Sequence, residues 1–263
     1  MRKPIIFLCT VLLIAGFSAR AEVWQEGKCL KIGHRGTRAL VDENTLESIL
    51  KAIEMGVDAV EFDVQRTKDR IYVIMHDETV DRTTNGYSRV DKLTIDQFKK
   101  LKTKSGYTPP TLEEVFEALK TKNVGIIMDI KLKQEDAVPE LYALVEKYGL
   151  SDRMIYETSY PKIARAIEEF NPDLISAIYP AWPPSAFYYA KKYKLDCVSI
   201  YYPFASSLAV KKAKKQNYKI VVWTVNRENL IKKFENDLKV DGIMTDDPAL
   251  FHTGSENSCG CRK

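Results

Sequence analysis

The sequence predicts an α/β fold, a (β/α)8 TIM barrel with a β-hairpin and a small insertion after its second strand. Two observations predict it. Eight short apolar, β-branched runs alternate with stretches of helical spacing, and one further run follows the second too closely for a parallel crossover. Length agrees: 263 residues with 45% apolar content suit a single barrel, which typically takes about 250 residues.

The inner strands are expected at 30–34, 58–64, 124–130, 153–158, 174–179, 196–201, 219–225 and 241–245. Helices are expected to start near Asn44, Thr111, Glu135, Pro161, Ser185, Ser206 and Arg227, with a last short one near Pro248. Asn44 with Glu47, and Thr111 with Glu114, fit capping boxes, in which each side chain satisfies an amide the helix start leaves open. The extra run at 71–75 must turn back on the second strand, because a parallel connection needs roughly a dozen residues or more. A turn at 67–70 sets His76 beside Glu61 and Asp63 near Ile74. Residues 79–110 are polar and punctuated, and read as an insertion covering the barrel mouth.

Residues 1–21 read as a signal peptide: Arg2 and Lys3, an apolar stretch from 5 to 17, then Ala19-Arg20-Ala21 as a cleavage site. The apolar stretch falls short of the roughly 20 residues of a membrane span, so the expectation is an exported protein, periplasmic or secreted, with a single domain over 22–263 and no transmembrane segment. Removing the signal lowers the net charge from +4 to about +1, which argues against nucleic acid as a partner. Four cysteines remain, Cys29, Cys197, Cys259 and Cys261. The last helix should return to the amino end of the barrel, where Cys29 could pair with Cys259 or Cys261.

On a parallel barrel the chemistry collects at the carboxyl ends of the strands. The first strand ends in Gly33-His34-Arg35-Gly36, a turn that lets the backbone approach a ligand, although a solvated His-Arg turn fits equally. Glu61 and Asp63, two apart, share one face of the second strand. Carboxylates so placed repel unless a cation or proton lies between them, and such hard oxygens suit Mg²⁺ or Ca²⁺. Asp129 and Lys131 repeat the pattern on the third strand, as an oxygen ligand and a phosphate-neutralising base or as a buried ion pair. Two of the three histidines, His34 and His76, fall by this carboxylate group, whereas His252 reads as a surface or packing residue. Trp223 is either core or a wall of the substrate site.

These residues lie within motifs that resemble the glycerophosphodiester phosphodiesterase family, particularly its exported bacterial members: GHRG at 33–36, ENT at 43–45, GVDAVEFDVQRTKD at 56–69, HDETVDRTTNG at 76–86, PTLEEVF at 110–116, DIK at 129–131, WTVN at 223–226 and DGIMTDDP at 241–248. The resemblance implies metal-dependent hydrolysis of a small glycerophosphodiester to glycerol 3-phosphate and an alcohol. Glu61, Asp63 and Asp129 would hold Ca²⁺ or Mg²⁺, and His34 and His76 would be the acid/base pair. Arg35 and Lys131 would bind the phosphate. Two positions depart from the family: Asp42 stands where Pro is usual, changing only the approach to a helix, and Asp129 where Glu is usual, shortening a ligand. The attacker, water or the glycerol 2-hydroxyl, is left open, as is a metal-ligand role for His76. Two rival readings are a phospholipase C- or D-like enzyme, which should need an apolar lipid-docking surface that the sequence does not display, and a non-catalytic binding protein for glycerophosphodiesters.

Overall fold

The computed structural model describes residues 23–24 and 27–252. Its sheet holds nine strands: β1 (Leu30–Gly33), β2 (Ala59–Arg66), β3 (Tyr72–Ile74), β4 (Gly125–Ile130), β5 (Met154–Thr158), β6 (Ile175–Ile178), β7 (Cys197–Tyr201), β8 (Lys219–Trp223) and β9 (Gly242–Thr245). All but β3 run parallel in the order β1-β2-β4-β5-β6-β7-β8-β9, and β9 pairs back to β1, closing the barrel. The helices between strands are α1 (Leu46–Glu54), α2 (Ile95–Phe98), α3 (Leu112–Leu119), α4 (Ala137–Lys147), α5 (Pro161–Phe170), α6 (Ala186–Tyr193), α7 (Ser207–Lys215) and α8 (Glu228–Lys232).

Strand alternation divides the apolar residues into two layers. Phe62 and Val64 of β2 and Met128 and Ile130 of β4 face outward and bury Leu112 and Phe116 of α3. Ile32, Ala59, Ile127, Ile155, Ala177 and Val221 face inward and fill the barrel. The barrel centre is therefore solid, and the inward positions nearer the carboxyl ends, where polar residues begin, form its mouth.

Several starts expected from the sequence hold. Thr111 and Glu114 form a reciprocal capping box on α3, Pro161 takes the first turn of α5, and the Ser206 side chain caps α7. Asn44 does not cap. Thr45 accepts from the Ser48 amide at the start of α1, while Asn44 sits one residue earlier with φ +58°, a left-handed conformation that asparagine tolerates.

The hairpin exists, one residue out of the expected register. Val64 faces Ile74 and Arg66 faces Tyr72, because Thr67 pairs with Ile71 across a three-residue loop whose last member, Arg70, has φ +66°. Met75, rather than Ile74, donates its amide to the Asp63 carbonyl. The stretch 79–110 has its own small core of Val80, Val90, Phe98 and Leu101 beneath β3. It meets the segment between β1 and α1 through the Ser105 amide, which Asp42 accepts at 2.8 Å. Asp42 thus ties the insertion to the barrel as well as altering the approach to α1.

A short turn (Pro248–Phe251) follows β9, and His252 donates from Nε2 to the Met55 carbonyl at 2.9 Å, at the amino end of the barrel, as a packing role requires. The signal segment, Cys259 and Cys261 lie outside the described residues, and among the described residues Cys29 and Cys197 form no disulfide. Among the described residues no helix is long and apolar enough to cross a membrane.

Candidate active site

Strand register assembles the site. Asp63 of β2 pairs with Asp129 of β4, and Asp129 pairs with Glu157 of β5, so neighbouring strands deliver three inward carboxyls at one level. Glu61 lies on the same face two residues before Asp63. Glu61, Asp63 and Asp129 each offer an oxygen within 4.8 Å of the others. With His34, Arg35, His76, Lys131, Glu157, Tyr179 and Trp223 they line a cavity of about 80 Å³ at the carboxyl end of the barrel. Every candidate residue read from the sequence is therefore in one place, and Trp223 is a wall of that cavity.

The β1 turn is shaped for this. Arg35 and Gly36 both have positive φ, +51° and +82°, which points the Arg35 amide at Glu61 (2.8 Å) and the Gly36 amide at the Glu61 carbonyl. A side chain at Gly36 would lie 2.5 Å from Ser48, so only glycine lets the turn press against α1. The left-handed Asn44 spans the gap to β2, donating to Asp63 Oδ2 at 2.7 Å and accepting from the Asp63 amide at 3.2 Å.

Four carboxyls here are at most 4% exposed, and only Arg35 and Lys131 among the lining residues are permanent cations. Lys131 Nζ lies 3.0 Å from Asp63 and 2.6 Å from Asp129, and Tyr179 donates its hydroxyl to Asp129. Burial would raise Asp63, but Lys131 and Arg35 hold it well below the ordinary carboxylate range. The others go the opposite way: burial and the neighbouring acids push Glu61 up, Asp129 up to about 6 and Glu157 up to about 8. Asp129 Oδ1 is buried without a hydrogen-bond partner. A buried, negatively overloaded oxygen set with an orphaned lone pair fits a divalent hard cation, whose charge would offset the repulsion among these acids.

Each histidine is oriented by a carboxylate on the same ring nitrogen. His34 Nδ1 meets Asp246 at 2.6 Å, and His76 Nδ1 meets Asp77 at 2.6 Å. A carboxylate on Nδ1 fixes the proton there and leaves Nε2 as the lone-pair nitrogen. Asn226 donates to the other Asp246 oxygen at 2.6 Å, and Gln65 holds the backbone carbonyls of His76 and Asp77. Burial lowers the pKa of both histidines, partly offset by Asp246 at His34 and by Asp63 at His76. The two halves are also linked: Arg82 of the insertion donates to Asp77 and to Glu43, and Glu43 accepts from Arg35 at 2.7 Å.

Sequence reasoning missed Asn44, Glu43, Glu157, Tyr179 and the partners of the histidines. Closure of the barrel could have found Asp246: Gly33 pairs with Thr245, so the residue after each strand end must be neighbours. Glu157 could have come from extending the inward row of Asp63 and Asp129 by one strand.

The comparisons agree with this geometry. A family model described as the glycerophosphoryl diester phosphodiesterase family matches residues 34–250. The chain belongs to that family. It is an enzyme of the same class. A glycerophosphodiester phosphodiesterase of Caldanaerobacter subterraneus subsp. tengcongensis is 33% identical over 84% of this chain and 95% of its own. Among solved structures, that of a glycerophosphodiester phosphodiesterase from Thermotoga maritima covers 86% of this chain and 98% of its own, with a TM-score of 0.72 at 26% identity. An Oleispira antarctica phosphodiesterase, solved with the product sn-glycerol-3-phosphate, shares the fold at TM-score 0.79 and 24% identity over 85% of this chain and 95% of its own.

Proposed function

We propose that this member hydrolyses glycerophosphodiesters to glycerol 3-phosphate and an alcohol, using a divalent cation, Ca²⁺ or Mg²⁺, held by Glu61, Asp63 and Asp129. The observation that carries the reading is the convergence of that buried carboxylate set with two carboxylate-oriented histidines on one cavity. When bound, the cation supplies positive charge beside a phosphate that gains negative charge as it is attacked. Arg35 and Lys131, each already facing the cavity, hold the non-bridging phosphate oxygens. His34, kept neutral by burial, takes the proton of the attacking oxygen, that of water or of the glycerol 2-hydroxyl, at Nε2, and Asp246 stabilises the imidazolium that results. His76 acts from its imidazolium form, which Asp63 and Asp77 favour against burial, and delivers the Nε2 proton to the leaving alcohol while Asp77 holds the ring through Nδ1. Trp223, at the end of β8, walls the cavity beside Tyr179.

Export after cleavage behind Ala21 is part of the same proposal, supported by the charged start and short apolar stretch at 1–21. N-terminal sequencing of the protein recovered from cells should begin at Glu22, and an intact Met1 start would remove it. For the reaction, release of glycerol 3-phosphate from glycerophosphocholine and glycerophosphoethanolamine should require added Ca²⁺ or Mg²⁺ and stop reversibly in chelator. Full turnover in chelator overturns the cation's part.

A further inference from the structure

Nine large apolar side chains are exposed among the described residues, and most stand alone, as is ordinary for a protein surface. Three do not: Trp182 (66% exposed), Phe204 (46%) and Tyr201 (40%) converge on one groove of about 450 Å³ at the mouth. This volume lies within the roughly 300–1,000 Å³ typical of ligand pockets. The sequence displays no such surface, because the aromatics come from two loops, after β6 and at the end of β7, that only the fold brings together.

The groove continues the reaction cavity: Tyr179 and Trp223 line both. Ring contacts run unbroken from the carboxylates outward. Tyr179, which bonds Lys131 and Asp129, packs on Trp223 at 5.5 Å. Trp223 meets Tyr201 at 5.5 Å, Tyr201 meets Phe204 at 6.4 Å, and Phe204 meets Trp182 at 6.5 Å. No acidic or basic side chain lines the groove, whose polar atoms come from Ser159 and tyrosine hydroxyls. An ammonium or hydroxyl-rich alcohol would find no charged partner there, only ring faces and a few hydroxyls, whereas a hydrocarbon chain would cover the exposed rings along the length of the groove. This groove, continuous with the site through Tyr179 and Trp223, gives a course for one chain.

We infer that the site accepts phosphodiesters whose glycerol carries a single hydrocarbon chain, as in a lysophospholipid, with the chain laid along this aromatic groove. The inference rests on the hydrolysis proposed above and names its substrate class. The test uses the full protein with monomeric 1-hexanoyl and 1-octanoyl glycerophosphocholine beside glycerophosphocholine, and calorimetric binding of hexyl-, octyl- and decyl-phosphocholine below their micelle concentrations.

The expected result is a kcat/KM and an affinity that rise about twofold per methylene, as half-burial of that group gives. Trp182→Ala and Phe204→Ala should each flatten that rise, costing roughly fivefold to tenfold on the octanoyl substrate while glycerophosphocholine stays within about twofold. Turnover of glycerophosphocholine with no chain-length dependence overturns the groove and leaves the hydrolysis standing. The same follows if the variants lose both substrates equally. Absence of turnover on every substrate overturns the hydrolysis, and the groove still stands if alkylphosphocholine affinity rises with chain length in the native protein and not in the variants. Selectivity for choline over ethanolamine that ignores chain length overturns the inference in favour of a cation on the rings.

Discussion

The mouth of the barrel has two sides built on opposite physical terms. From β1 to β5 it is charged, buried and over-determined: Asp63 alone is held by Asn44, Lys131 and Arg35, and is 1% exposed. From β6 to β8 it is aromatic, open and held by ring contacts, with Trp182 66% exposed and without a side-chain cap or ion pair to fix its loop. Charged groups in a low-dielectric cavity must be placed to fractions of an ångström to be worth their desolvation, so that side can tolerate little change. Apolar contact is non-directional, so the aromatic side can vary its shape without disturbing the chemistry.

The contrast can be broken by experiment, most severely at the histidines. His34→Ala and His76→Ala should each lower kcat by about 10²- to 10⁴-fold with the circular dichroism unchanged. Near-native turnover in either variant removes that histidine from the mechanism. Asp246→Asn should cost less, about 10-fold to 100-fold, and should move a pH limb. Burial lowers the His34 pKa and the Asp246 bond holds it partly up. Activity that needs neutral His34 therefore fades as pH falls through a value below the ordinary 6.5, and removing Asp246 should carry that limb to still lower pH. A limb that moves upward, or stays fixed, assigns it to another group.

A smaller effect tests the linkage within the charged side. Burial would raise Glu43, but hydrogen bonds from Arg82 and the charge of Arg35 bring it down to about 2 from an ordinary 4.5. With the folded pKa depressed, its contribution to stability is complete above pH 4.5 and is lost as pH falls towards 2. Urea midpoints should thus drop between pH 5 and pH 2.5 by more in the native protein than in Glu43→Gln. Equal drops would show that the Arg35-Glu43-Arg82 chain does not stabilise the fold. Smallest of all, Trp182→Ala should shift stability by less than about 0.5 kcal/mol, as for an ordinary surface change. A large fall in Tm would mean that the aromatic side is structural after all.

The same division decides what the sequence discloses. The barrel was legible because β-branched runs such as 124–130 and 219–225 cannot alternate with helix-spaced stretches in many other ways. The carboxylates were legible because Glu61 and Asp63 share a face by simple period-two alternation. Asn44 was not, since its role depends on a left-handed backbone that a capping reading overlooks. The hairpin register slipped because the position of the left-handed Arg70, not the turn composition, sets which residues face each other. The aromatic groove was invisible because Trp182 and Phe204 are 22 positions apart and meet only through the packing of two loops.

The pairing of His34 with Asp246 has a consequence for the order in which the molecule becomes able to act. These partners stand near opposite ends of the described residues and meet only where β9 seals against β1. A nascent polypeptide that has already formed its carboxylate cluster and placed His76 still lacks the second oriented imidazole until its final strand has emerged and docked. On the mechanism proposed above, competence would arrive with completion of the circle, and a chain cut short before β9 would carry nearly every functional residue without the oriented His34.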